Sequence, residues 1–137
     1  MITKKQLDDL TYQIIGAAIE VHKTIGPGLL ENVYHKCMMR ELFLRKLKFS
    51  SEQLVQLDYK GIDMETNLRC DLLVEELIAL ELKAVDAFAP IHETKLLTYM
   101  RLLNVPKGIL INFTCMNLFK QGQRTFVNEL FSSLQEK

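Results

Sequence analysis

Apolar residues at Leu7, Leu10, Ile14, Ala17, Ala18 and Val21 recur at three- and four-residue steps, the period of an amphipathic helix, and predict one from about Lys5 to Lys23. Gly26-Pro27-Gly28 stops it. A second helical pattern starts at Leu29 or Leu30, carries Val33, Tyr34, Cys37, Met38 and Leu42 on one side and ends near Lys46, so the two helices are expected to form a hairpin. Leu54, Val55, Leu57 and Tyr59 then predict a first strand, followed by a turn at Lys60-Gly61-Ile62-Asp63. Leu68 to Val74 and Leu77 to Lys83 predict two more strands, joined at Glu75-Glu76 and apolar enough on both faces to lie centrally in a covered sheet. After Pro90, the spacing of Ile91, Leu96, Tyr99, Met100 and Leu103 predicts a third helix, closed by Asn104-Val105-Pro106. Gly108 to Phe113 predicts a strand, Leu118 to Phe126 an edge strand, and Asn128 to Leu134 a short final helix. The pattern contains no internal repeat or linker, and residues 1–137 are expected to form a single domain.

Charges interrupt the most apolar part of this pattern at Asp71, Glu81 and Lys83. An ionised group left unpaired in an apolar interior costs several kcal/mol, so such groups are paired, bound to metal or absent. Glu81 and Lys83 are two apart on one strand and share a face. A two-residue loop at Glu75-Glu76 would set Asp71 opposite Leu80 and separate the carboxylates, whereas a three-residue loop or one bulge sets Asp71 opposite Glu81. An irregular hairpin is therefore expected. Two close carboxylates repel unless a cation or proton lies between them, and all-oxygen ligation suits Mg²⁺ or Mn²⁺. Lys83 would then orient an attacking water and offset charge on a phosphate.

Composition narrows the setting. A chain of 137 residues that is 48% hydrophobic can build a sizeable core, and its formal net charge of zero leaves no global basic footprint, so an anionic partner must be met by a local patch. Cys37, Cys70 and Cys115 are scattered without a Cys-x-x-Cys pair, against a disulfide framework or a zinc ribbon and in keeping with a reducing cytoplasm. The N-terminal residues lack an apolar signal-like region, and no stretch approaches the ~18 apolar residues of a membrane span.

Asp71, nine residues, Glu81, one residue and Lys83, with apolar flanks, resemble the active-site motif of the PD-(D/E)XK nuclease superfamily. Gly28-Leu-Leu-Glu31-Asn-Val-Tyr34 resembles the naming motif of the GxxExxY protein family within it, and the order of segments from about Leu10 to Arg124 is similar as well. The resemblance implies an α/β fold with a restriction-endonuclease-like core, a mixed central sheet of about four to five strands flanked by helices in the order α-α-β-β-β-α-β-(β)-α. It also implies a Mg²⁺- or Mn²⁺-dependent nuclease acting on DNA more readily than RNA, with Asp71, Glu81 and Glu31 as metal ligands and Lys83 serving the water. Lys95 stands where the family usually has Gln, four residues before Tyr99, so the two share a helix face beside the site; with His92, which opens that helix, they are the candidate substrate-positioning residues. A lysine binds phosphate as a point charge and cannot copy an amide's paired donor and acceptor.

Plainer readings compete at each position. Glu31 near the third position of its helix would favour the helix dipole and cap free N–H groups, and Tyr34 would be a core aromatic whose hydroxyl bonds the Glu31 carboxylate. Asp71, Glu81 and Lys83 would also serve as a structural ion network in a catalytically inactive nuclease-fold module that binds nucleic acid or protein, the alternative to the enzyme. Glu20, His22 and His35 lack metal-ligand spacing and read as structural, His92 as a helix cap as readily as a cleft residue, and Arg40, Arg45, Lys46 and Lys48 as a solvated face. A domain this small is also a candidate to form a homodimer that completes a nucleic-acid groove.

Overall fold

Thr3 opens the first helix. In the computed structural model, which describes all 137 residues, its hydroxyl accepts from the Gln6 N–H (3.1 Å) while the Gln6 side chain accepts from the Thr3 N–H (3.0 Å), satisfying two otherwise free donors at the start of α1 (Lys4–Ile25). The buried stripe of α1 is Leu7, Thr11, Ile14, Ala17, Ala18 and Val21, close to the face that periodicity predicts. The turn that follows needs glycine: Gly26 and Gly28 sit at φ of 74° and 99°, where a side chain is strained. α2 (Glu31–Leu44) then returns along α1, starting with Glu31 as its first residue.

Tyr34 locks that turn. Its hydroxyl donates to the Gly26 carbonyl (2.6 Å) and accepts from the Leu29 N–H (3.2 Å), and its buried ring stacks on Phe113 with centroids 4.4 Å apart. The predicted core role is correct, but the hydroxyl partner is the turn backbone and not the Glu31 carboxylate. Glu31 is exposed on the first turn of α2.

Five strands form the main sheet in the order β1-β4-β5-β6-β7: β1 (Phe49–Leu54), β4 (Arg69–Val74), β5 (Ile78–Lys83), β6 (Lys107–Asn112) and β7 (Gln123–Val127). Only β5 and β6 run parallel, joined through α3 (Pro90–Leu103), so the sheet is mixed. Helices α1 and α2 cover one face with Leu72, Val74, Ile78, Leu80 and Leu82, and α3 covers the other with Leu73, Ala79 and Leu110. Both faces of β5 are therefore buried, which is why its sequence is almost continuously apolar. Gly108 lets α3 lie close: a Cβ there would come within 2.6 Å of the Met100 sulfur.

Two predicted strands are corrected. The first strand of the sheet begins at Phe49, with residues Asp58–Tyr59 (β2) and Ile62–Asp63 (β3) forming a separate small hairpin. β1 is an edge strand whose Ser50, Ser51 and Glu52 are exposed, so it carries no apolar alternation to betray it. The segment expected as one edge strand from Leu118 divides into a one-turn helix, α4 (Leu118–Gln121), capped by the Asn117 side chain, and β7. A last short helix, α5 (Glu129–Ser132), is capped by Asn128.

Candidate metal centre

The β4–β5 hairpin has the irregularity that strand parity demands. Leu72 pairs with Leu80, Leu73 with Ala79 and Val74 with Ile78, which leaves the three residues Glu75-Glu76-Leu77 in the loop and carries the register to Asp71 opposite Glu81. Glu75 and Glu76 achieve this with left-handed backbones (φ 53° and 57°), and the Leu77 N–H closes the turn on the Val74 carbonyl at 2.9 Å.

Backbone pairing between the two strands stops at Leu72 and Leu80, and side chains take over. The Glu81 carboxylate accepts from the Asp71 N–H (2.8 Å) and the Asp71 carboxylate from the Leu82 N–H (2.7 Å). Each carboxylate thus stands in for a ladder carbonyl on the opposite strand. β1 loses its regular path at the same level: its register passes from Ser51 opposite Leu72 to Gln53 opposite Cys70, skipping the Glu52–Asp71 pair, and Glu52 is left-handed at φ 53°.

The two carboxylates diverge from this point. Asp71 lines a cleft of about 460 Å³ with Glu31, Asn32, His35 and Lys36 of α2, Ser51 and Glu52 of β1, and Leu82. Glu81 is buried (2% exposed) and directed at α3, where the Lys95 ammonium lies 3.5 Å away. The expectation that Asp71 and Glu81 converge on one face is met in register but not in direction, because the break at Asp71 releases that residue from simple alternation. Glu31 does share the cleft with Asp71. Lys83, half-buried and on the face of Glu81 by strand parity, is near enough for its charge to lower the pKa of both carboxyls.

Burial dominates the electrostatics. It pushes the Glu81 carboxyl up, to about 7, with the Asp71 charge acting in the same direction and the Asp71 N–H, Lys95 and Lys83 acting against it. Burial also raises the Asp71 carboxyl, against the Leu82 N–H and the charges of His35 and Lys83. Burial is the largest influence on the Lys95 ammonium and would lower it, yet the Glu81 carboxylate, Tyr99 and Asp71 together outweigh burial and hold the group above its ordinary value. The Lys95 Nζ also lies 5.4 Å from the centre of the Tyr99 ring, whose hydroxyl burial shifts upward. His92 accepts the Ala89 N–H through Nδ1 at 3.1 Å, which is the helix-capping role. Arg45 is engaged by Glu41 (3.6 Å) and Gln13 (3.0 Å), while Arg40, Lys46 and Lys48 are exposed.

A model of the PD-(D/E)XK nuclease superfamily matches residues 8–126, nearly the whole of the α/β core just described. The chain belongs to this superfamily. No curated protein and no solved structure was found to match. As a PD-(D/E)XK domain, its five-stranded mixed sheet between helices is the restriction-endonuclease-like arrangement, and no helix is long and apolar enough to cross a membrane. Nucleases of the superfamily generally use divalent metals, and the donors here fit one: His35, Glu52 and Asp71 each offer a ligand atom, all within 4.8 Å of one another. The sequence pattern takes His35 as structural and gives no sign of Glu52. Neither has a metal-ligand spacing along the chain, and the only signal that could have found them is the position of His35 four residues after Glu31, on the same helix face.

Proposed function

We propose that this protein is a divalent-metal-dependent nuclease that hydrolyses phosphodiester bonds, in DNA more readily than in RNA, and works in the cytoplasm. The observation that carries this reading is the register of Asp71 opposite Glu81, with Lys83 two residues on, in a chain of the PD-(D/E)XK superfamily. The Gly28, Glu31, Tyr34 spacing, with Gly28 at positive φ, Glu31 lining the cleft and Tyr34 tying the turn, supports the narrower assignment to the GxxExxY family.

Each side chain has a task in such a reaction. Asp71 and Glu31, which line the cleft, supply carboxylate oxygens to the metal, Glu81 holds the Asp71 N–H behind them, and a bound dication would polarise the phosphoryl oxygen and lower the pKa of a water. Lys83 holds the attacking water by hydrogen bonding and offsets charge on the phosphate. Lys95, Tyr99 and His92 lie along the α3 side and position the substrate backbone, Lys95 as a point charge. A homodimer would extend the short groove a single copy offers.

A second reading has its own observation. The Lys95 ammonium 3.5 Å from Glu81 is a built-in cation at one of the two opposed carboxylates, as expected of a nuclease fold that binds without cutting. Incubating supercoiled, linear and single-stranded DNA with Mn²⁺ or Mg²⁺, beside Asp71→Asn protein prepared in the same way, separates the two. Cleavage by the native chain and not by the variant supports the nuclease. If clean native protein neither binds metal nor cleaves any of these substrates, the enzyme reading is overturned.

A further inference from the structure

The cleft on the α2 side holds more donors than the opposed carboxylates account for. His35 comes from α2, Glu52 from the edge strand β1 and Asp71 from β4, and one ligand atom of each falls within a 4.8 Å group. The skipped Glu52–Asp71 pair, where the β1–β4 ladder is interrupted, lets both side chains reach this cleft. Ser51 Oγ lies 2.8 Å from His35 Nε2 and fixes the orientation of the imidazole, as a supporting hydrogen bond does for metal-ligating histidines. Glu81 faces away, paired with Lys95.

We propose that His35, Glu52 and Asp71 hold the divalent cation of this chain as a mixed nitrogen and oxygen set that takes Mn²⁺, or a similar transition dication, in preference to Mg²⁺. Mg²⁺ favours oxygen ligands and octahedral hydration, whereas an imidazole nitrogen contributes usefully to the softer first-row ions. The inference deepens the nuclease reading by naming the ligands and the metal class, and rests on it for what the ion is used to do.

Calorimetric titration of the full chain with Mn²⁺ and with Mg²⁺, joined to electron spin echo envelope modulation of the Mn²⁺-loaded protein, tests the assignment. The expected result is a ¹⁴N modulation in the native chain that disappears in His35→Gln, with Mn²⁺ affinity reduced by about tenfold or more. Glu52→Gln, which leaves the imidazole in place, should weaken Mn²⁺ binding and retain the nitrogen signal. Mg²⁺ should bind the native chain less tightly than Mn²⁺ and respond little to His35→Gln. Mn²⁺ bound without ¹⁴N modulation, or a modulation that survives in His35→Gln, overturns this ligand set and leaves a carboxylate-only nuclease site standing. Failure of the native chain to bind Mn²⁺ overturns this assignment, and failure to bind either cation, with no cleavage, overturns both.

Discussion

At its closed end the β4–β5 hairpin pairs Val74 with Ile78 and Leu72 with Leu80 by backbone hydrogen bonds under an apolar cover; at its open end Asp71 and Glu81 replace that ladder with two crossed carboxylate–amide bonds. The sequence distance between the two ends is small, yet different forces act there. Burial stabilises the closed end, since side chains such as Leu80 leave water entirely. The same burial works against the open end, where it disfavours the charge on both carboxyls. Two N–H bonds, Lys83 and Lys95 offset part of that penalty, and a dication in the cleft would offset more.

Activity should separate the two ends most sharply. Asp71→Asn retains an oxygen that can accept the Leu82 N–H, so the fold should persist, while removal of the charged ligand lowers phosphodiester cleavage by roughly 10³-fold, or about 4 kcal/mol of barrier. Initial rates on plasmid DNA with Mn²⁺ measure it. Full activity in Asp71→Asn would remove Asp71 from the site. Leu80→Ala reverses the pattern: it should cost about 3 kcal/mol of stability in urea unfolding by emptying a fully buried site, with Mn²⁺ affinity of the folded protein nearly unchanged.

Acidity should act on the open end alone. The Glu81 carboxyl moves from an ordinary value of 4.5 to about 7 on folding, so between those pH values the folded chain retains a proton that the unfolded chain has lost. Stability from this group is fully present below about pH 4.5 and is lost as pH rises through 7, on the order of 3 kcal/mol, with Asp71 adding in the same direction. Metal-free protein should therefore melt at a higher temperature at pH 5.5 than at pH 8, and Glu81→Gln should flatten that slope. An unchanged slope in the variant would assign the pH dependence to another group.

The two ends were also unequally legible in the sequence. The three-residue loop followed from requiring Asp71 to face Glu81, because strand alternation leaves few registers and a buried charge excludes most of them. The helices α1 and α2 and the strand β6 were equally readable, since each buries a regular apolar face or run. Directions at the open end were not, because Asp71 leaves the alternation on which the reading depended. His35 and Glu52 reach the site only through the packing of α2 and edge strand β1 on the hairpin, contacts that distant sequence positions do not announce. β1 itself was missed because an exposed edge needs no apolar pattern.

The smallest effect tests how far the α3 side belongs to the open end. Lys95→Met removes the cation beside Glu81 and leaves that carboxylate with Lys83 as its remaining nearby positive charge. The Glu81 pKa should rise further, and stability at pH 8 should fall. Because the Lys95 side chain is 42% exposed, solvent screening limits the loss to about 0.5 kcal/mol. At pH 5, where Glu81 is protonated in both proteins, the difference should vanish. Urea titrations at the two pH values read it directly: a loss of equal size at both would mean that Lys95 acts through the packing of its stem against Tyr99, and the charge coupling between α3 and the hairpin would be discarded.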